Sequence, residues 1–538
     1  MKLTLAGIQE KKLWQDKGYI LPQIDSVALQ DKTRKAPHWI HFGAGNIFRG
    51  FPAALQQQLI EKGESDRGII VAEGFDYEII DRIYAPHDNL SLLVTLNSDG
   101  SIDKKIIASI TEGLRCDVSF SDDWAKLESY FRMPSLQMVS FTITEKGYAL
   151  TDSSGVYFPS AVSDFAAGPS AAHLLLSKLT ALMLVRYQAG AHPIALVSMD
   201  NCSHNGEKLG TAVVDIARHW QDAGHVPAGF VEYLSTSGKV SFPWSMIDKI
   251  TPRPDDAVRQ MLEKDGFEDT ATVVTEKKTW IAPFVNAESA QYLVIEDDFP
   301  NGRPALEKAG VFFTDRDTVN KVEKMKVCTC LNPLHTALAV FGCLLGHTFI
   351  YKEMQDDVLK RLVERIGYEE GLPVVVNPGI LNPKEFIKEV LEVRFPNPFM
   401  PDTPQRIACD TSQKLSIRFG ETIKAYAADP TKNVQDLHLI PLVFAGWLRY
   451  LMGLDDDLKA FEPSPDPLLA ELRPYVQGIP MGVPTVDEAH LKPLLSNQKI
   501  FGVDLYEVGL ADRVLAYFVE LLQGKGAVRR TLEKYVLN

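Results

Sequence analysis

Several things are scarce or missing in this 538-residue sequence, and each shortage excludes a class of protein. The six cysteines (Cys116, Cys202, Cys328, Cys330, Cys343, Cys409) are too few and too scattered for a disulfide framework, so free thiols are expected. The opening MKLTLAGIQEKKLW has neither an unbroken apolar block nor a small-residue cleavage site, which predicts a cytoplasmic location. Positive charge is in deficit. A formal net charge of −14 removes the extended basic surface that nucleic acid or anionic membranes require, so neither is expected as a partner. There is no internal repeat and no low-complexity tract. The one membrane-length apolar window, residues 331–350, contains Asn332, Pro333, His335 and His347, which are costly in lipid, and it predicts a buried helix.

What is present suits an ordinary globular protein, since 45% apolar residues in a chain this long can bury at least two cores. Up to about Phe313, β-prone runs (HWIHFGAG, GIIVAEGF, QMVSFTIT, PIALVSMD, SAQYLVIE) alternate with helical stretches, the pattern of a largely parallel α/β sheet. From Asp315 helical periodicity dominates, broken by Pro-rich turns. The expectation is an α/β Rossmann-type domain over residues 1–315 and a mainly α-helical domain over 316–538.

The segment from His38 to Gly50 runs from an apolar strand through a glycine turn into a helical stretch. Gly43 and Gly45 let a backbone approach a pyrophosphate, with donors from the helix start, so Phe42, Gly43, Ala44, Gly45, Asn46, Ile47, Phe48 and Arg49 are the candidate cofactor segment. The third glycine of the usual fingerprint is absent, its place taken by Phe48, and the pattern taken alone is equally that of a tight turn. A second strand ends on Glu73, which reads as a ligand of the adenosine ribose and favours NAD; Asp76 competes for that role, and either acid reads equally as a solvated strand end.

The chemistry-bearing stretch is residues 323–335, EKMKVCTCLNPLH. Asn332 reads as an N-cap and Pro333 as a first-turn residue, so a helix begins there with Asn332 and His335 on one face, and a kink over residues 328–332 brings Lys326 beside His335. Alcohol oxidation needs a base for the hydroxyl proton and donors for the developing alkoxide, and lysine serves as base only where its surroundings disfavour the ammonium form. As an isolated pair, Lys326 and His335 read more readily as a solvated lysine and a core histidine. Cys328 and Cys330 lack the second ligand pair of a zinc site, so no metal is expected.

HFGAGNIFRGF, TITEKGY, MDNCSHNGEKL, FPWSMIDKITPRP and LNPLHTAL resemble, in order, the landmarks of the mannitol dehydrogenase family of long-chain polyol dehydrogenases. The resemblance implies NAD as cofactor, Lys326 as the base, Asn201 and Asn332 as holders of the alkoxide, His335 at the catalytic site, and Arg406 and Lys414 as contacts to substrate oxygens. Glu323 and Asp248 match acids near the family's cleft, with a structural role favoured. Polyol-oxidising members place the lysine five residues before the asparagine, whereas here the interval is six, which predicts a one-residue bulge of π type.

Within the family the substrates are neutral polyols, hexitol phosphates and hexonates. Lys146 stands where several polyol enzymes have glycine, and it is expected to meet a substrate carboxylate at a strand end; it reads equally as a surface lysine. The stretch from Pro398 to Tyr426 is most similar to members acting on mannonate. The resemblance therefore implies NAD-linked interconversion of D-mannonate and D-fructuronate through hydride transfer at C5. Tagaturonate and mannitol are the alternative substrates, a non-catalytic NAD-binding regulator is the alternative class, and the expected assembly is a monomer or small homo-oligomer.

Overall fold

The apolar runs between residues 39 and 241 become six strands: β1 (Trp39–Phe42), β2 (Ile69–Glu73), β3 (Ile110–Arg115), β4 (Met138–Phe141), β5 (Ile194–Ser198) and β6 (Val240–Ser241). They belong to a computed structural model, which describes residues 1–537, and the chain divides into two compact units, Met1–Asn320 and Lys321–Asn538. The strands form one sheet in the order β3-β2-β1-β4-β5-β6, and every neighbouring pair is parallel. Every residue of β1, β2, β4 and β5 is buried, which is why these strands read as continuous apolar runs rather than as alternation. The order reverses direction between β1 and β4, and in open sheets of this kind ligands bind at the carboxyl ends beside that reversal.

The fifth predicted run departs from expectation. Tyr292–Glu296 lies in a separate three-stranded sheet, antiparallel to Ser245–Asp248 and parallel to Phe312–Thr314. The parallel sheet stops at β6 because only Val240 and Ser241 pair with β5 before the chain reaches Pro243, which has no N–H to donate. Unforeseen as well is a four-stranded sheet built around the hairpin Ser91–Leu96 and Ile102–Ile107.

The helices that matter below are α1 (Asn46–Gly50), α2 (Pro52–Glu61), α3 (Leu175–Gln188), α4 (Arg316–Met325), α5 (Asn332–Leu344), α6 (Leu439–Leu451), α7 (Ala511–Leu521) and α8 (Ala527–Val536). The division between the units falls inside α4, a few residues beyond the expected boundary. In the second unit all 13 residues of α6 are buried, so its first amides have no water to turn to. Glu370 supplies the partners: its carboxylate accepts from the amides of His438 (2.7 Å), Leu439 (2.6 Å) and Ile440 (2.9 Å). The last part of the chain completes this core, with α7 packed on α6 and Asp456 accepting from the first amides of α8, Val528 at 2.8 Å and Arg529 at 3.2 Å. The apolar stretch Arg316–Leu344 is long enough to cross a membrane, but 78% of its apolar window is buried inside the protein, as expected of a core helix. All six cysteines are free thiols.

In the first unit Arg186 of α3 is fully buried and uses all five of its N–H donors on backbone carbonyls. Nε donates to His192, Nη1 to Phe131 and Met133, and Nη2 to Leu136 and Pro193, all at 2.8–3.0 Å. One side chain thereby ties α3 to the segments that enter β4 and β5, and burial pulls its pKa down to about 10. Arg186→Met would strand those carbonyls and is expected to destabilise the first unit by about 3–5 kcal/mol. The measurement is the urea midpoint of the full chain followed by tryptophan fluorescence, compared with the native protein.

Candidate active site

In the first unit, one set of candidate residues sits at the β1/β4 reversal. Gly43 has φ +107, and a Cβ there would come 2.2 Å from the carbonyl oxygen of Thr142, so glycine is required by the neighbouring strand. Gly45 differs: its φ is negative and nothing lies within 4 Å of where a Cβ would point, so the space above it is open. Gly45 is also the N-cap of α1, and no side chain caps that helix. An open glycine, an uncapped helix start and the strand order together fit the pyrophosphate of a dinucleotide.

Within the expected cofactor segment the side chains sort into two sets. Gly45, Asn46 and Ile47 remain partly exposed, whereas the side chains of Phe42, Ala44, Phe48 and Arg49 are turned into the core, so the segment offers a ligand its backbone rather than those four side chains. Phe48 stacks on His41 (centroids 4.2 Å apart), and His41 is held by Ser140 Oγ at 2.6 Å and Thr142 Oγ1 at 2.8 Å. A ring stack thus performs the helix-to-strand packing that a third glycine serves elsewhere. Arg49 donates to the carbonyl of Ala282 (2.8 Å) and to Asn46 Oδ1 (2.8 Å), orienting Asn46 from below. Glu73 is not presented to a ribose: its buried carboxylate accepts from Ala44 N (2.8 Å), Phe75 N (2.8 Å) and Asp76 N (3.1 Å), clamping the glycine turn to the end of β2. Burial raises its pKa. Asp76 is engaged as well, accepting from Thr275 Oγ1 at 2.6 Å.

Lys146 and Asn201 are both exposed, and their loops are tied together by Asp200, which sequence reasoning passed over. Its carboxylate accepts from Ile143 N (2.9 Å), Thr144 N (2.9 Å) and Tyr148 Oη (2.5 Å). Lys146 lies in a single 3₁₀ turn, Glu145–Tyr148, beyond the end of β4 rather than at the strand end expected of it. Buried Asn205 fastens the same loop, donating to the carbonyls of Asp200 (3.0 Å) and Ser245 (2.9 Å).

In the second unit, the candidate residues gather at the join of α4 and α5. Residues Lys326–Cys330 form a π turn, closed by Leu331 N donating to Lys326 O at 3.1 Å, so the expected one-residue bulge is present. Its cause lies downstream. Pro333 has no N–H for the carbonyl of Thr329, and its ring would clash there in an unbroken α-helix. A turn closed over one extra residue absorbs the six-residue interval, so Lys326 keeps the angular position relative to Asn332 that five residues would give in an α-helix. Asn332 is not the N-cap expected of it: Leu331 holds that position, with φ −127 and ψ −63, and Asn332 is the first helical residue. In this 13-residue helix only Asn332 and His335 escape full burial, and they share a face as expected. Lys326 is buried, with 3% of its surface exposed.

Around His335 the second unit gathers cations. The imidazole tilts against Phe395 (5.0 Å), and its Nε2 lies 3.5 Å from Asp402 Oδ2. Burial pulls its pKa down to about 4, Asp402 opposing this and Arg418, Arg406 and Arg394 adding to it. Arg406 is largely exposed and donates to Asp402 Oδ1. Arg418 donates to Thr336 Oγ1 at 2.5 Å, and burial brings its pKa to about 10. Lys414 donates to the Cys409 carbonyl at 2.5 Å, its pKa lowered by burial and then by Arg418. The structure therefore brings His335, Arg406 and Lys414 into one cluster and adds Asp402 and Arg418. Both additions had a signal in the sequence, since each stands four residues, one helical turn, from an expected ligand.

The Mannitol dehydrogenase Rossmann domain matches residues 37–308 and the Mannitol dehydrogenase C-terminal domain residues 318–521. The chain is 53% identical to D-mannonate oxidoreductase of Thermotoga maritima over 538 residues, covering 100% of this chain and 99% of that one. It is 30% identical to mannitol 2-dehydrogenase of Cereibacter sphaeroides over 440 residues, 81% of this chain and 85% of that one. Among solved structures, Pseudomonas fluorescens mannitol 2-dehydrogenase in ternary complex with NAD and D-mannitol superposes with a TM-score of 0.70 at 26% identity, covering 99% of both chains. A substrate-free D-sorbitol dehydrogenase gives a TM-score of 0.80 at 22% identity over 96% of this chain and 97% of that one, a likeness of fold alone. With two matched domains spanning most of its length, the chain belongs to the mannitol dehydrogenase family.

Proposed function

We propose that this protein is a cytoplasmic NAD-linked dehydrogenase that interconverts D-mannonate and D-fructuronate. The observation that carries the reading is the cationic cluster of Arg394, Arg406, Lys414 and Arg418 about the exposed face of α5, in a chain whose net charge is −14. A hexonate carboxylate is met by such a concentration of positive charge. The full-length similarity to D-mannonate oxidoreductase supports the same choice.

The backbone amides at the start of α1 and the open face of Gly45 would hold the pyrophosphate of NAD. The chemistry NAD supplies when bound is acceptance of hydride from C5 of the hexonate, and its return in the reverse direction. Lys326 takes the C5 hydroxyl proton at Nζ during oxidation and gives it back during reduction. Asn332 and Asn201 donate amide N–H to the oxygen as its charge develops. His335, uncharged above about pH 4, acts by hydrogen bonding rather than as a fixed cation. Arg406, Lys414 and Lys146 hold the carboxylate end.

Three outcomes are expected. Lys326→Ala should lower kcat with D-mannonate by roughly 10²–10⁴-fold while NADH still binds, read by NADH absorbance for turnover and fluorescence for binding. Retention of near-native turnover would remove Lys326 from the base position. Lys146→Ala should raise KM for D-mannonate while leaving any weak D-mannitol turnover little changed, and absence of NADH change with D-mannonate, D-altronate, D-mannitol and a hexitol phosphate alike would overturn the enzyme reading. Because the folded-state pKa of His335 is depressed, the ring protonates only as pH falls toward about 4. Hence His335→Gln should lower kcat without changing the shape of the pH profile between about pH 5 and pH 8; disappearance of a limb near the ordinary histidine value would contradict this.

A further inference from the structure

One acid stands among the cations about His335, and nothing in the reaction so far uses it. Asp402 is 9% exposed, and its two carboxylate oxygens face different partners: Oδ1 accepts from Arg406, and Oδ2 lies 3.5 Å from His335 Nε2. Its backbone is pinned as well, because its carbonyl accepts from Ile350 N at 2.9 Å. The ring it faces packs against Phe395 at a tilt of 32°. Of the two ring nitrogens, Nε2 is buried and makes no hydrogen bond, while Nδ1 is not among the buried unpartnered atoms.

An uncharged imidazole has one N–H and one bare nitrogen, and the neighbour of one nitrogen decides which is which. A carboxylate accepts only, so beside Asp402 the favoured tautomer carries its proton on Nε2. We propose that Asp402 is a positioning residue that sets the His335 tautomer, keeping the proton on Nε2 and leaving Nδ1 as the hydrogen-bond acceptor for the substrate hydroxyl. The same carboxylate holds Arg406 through its other oxygen, so one side chain couples the orientation of the histidine to that of a carboxylate ligand. A rotation of a few tenths of an ångström at Oδ2 closes the His335 contact to ordinary hydrogen-bond length. Second-layer carboxylates that fix a histidine tautomer elsewhere change activity by about 10–100-fold when removed.

The kinetic part of this inference rests on the dehydrogenase reading, whereas the tautomer does not, so the two fail separately. The experiment is a long-range ¹⁵N–¹H correlation spectrum of the full-length protein labelled at histidine, with the His335 signal assigned by its loss in His335→Gln. The native protein should show His335 protonated on Nε2. Asp402→Ala should shift it toward a mixture of tautomers and lower kcat about 10–100-fold, with NADH affinity retained, and Asp402→Glu should recover part of both. Asp402→Asn, which keeps the side-chain volume, serves where the alanine variant does not fold. Protonation on Nδ1 in the native protein, or a tautomer unchanged in both Asp402→Ala and Asp402→Asn, would overturn the proposal. A tautomer shift in a protein that does not turn over D-mannonate would leave the positioning role standing and remove the substrate reading instead.

Discussion

Between Leu331 N and Lys326 O runs a backbone hydrogen bond that spans five residues, where an α-helix would span four, and the placing of Lys326 before α5 follows from it. Pro333 makes the wider turn necessary by withholding a donor, and the turn converts a surplus residue into an unchanged angular position for Lys326. The distortion is shared with its surroundings. Further π turns occur at Ile366–Gly371, Val390–Arg394 and Ser416–Gly420. A Cβ on Gly371 would come 2.8 Å from Thr329 Cγ2, and Thr422 Oγ1 donates to Cys328 O at 3.4 Å, so the first turn is packed against the next elements on two sides. Reversion to a regular α-helix would break those contacts, which makes the widened geometry a property of the packed unit and not of residues 326–330 alone.

The arginines show how one residue type serves two purposes in an acidic chain. Arg186, Arg49 and Arg449 are buried: Arg186 and Arg449 donate to backbone carbonyls, Arg449 to those of Leu454 (2.7 Å) and Asp455 (3.0 Å), and Arg49 donates to the Ala282 carbonyl and to the side chains of Asn46 and Ser91. Their charge is consumed in satisfying acceptors that the fold would otherwise strand. Arg406 and Arg418 instead bond to side chains, Asp402 and Thr336, at the edge of an accessible face. Desolvation is borne by both groups, but only the second leaves field available to a ligand.

What could be read from the sequence was what neighbours along the chain decide. The glycine turn, the continuous apolar strands, the buried α5 and the extra residue before Asn332 all express themselves within about ten positions, and each appears in the fold. What could not be read depends on partners distant in sequence. Glu73 reads as a ribose ligand until Ala44 N, 29 positions away, is seen to donate to its carboxylate. The run SAQYLVIE has strand character but no local mark of which sheet it joins; only its antiparallel pairing with Ser245–Asp248 decides that. For Asp402 the local spacing from Arg406 was a signal, but its position beside His335, 67 positions earlier, was not legible in the sequence.

The burial of α5 also constrains how substrate preference can diverge among relatives built on this plan. Since every position of that helix except Asn332 and His335 is inside the core, a change almost anywhere along it is felt first as a packing defect. The segment from Asp402 to Arg418 is looser, mixing short turns with exposed side chains such as Arg406. Natural variation therefore has one tolerant surface in this unit, while Asn332 and His335 are shielded from drift by the buried helix that carries them.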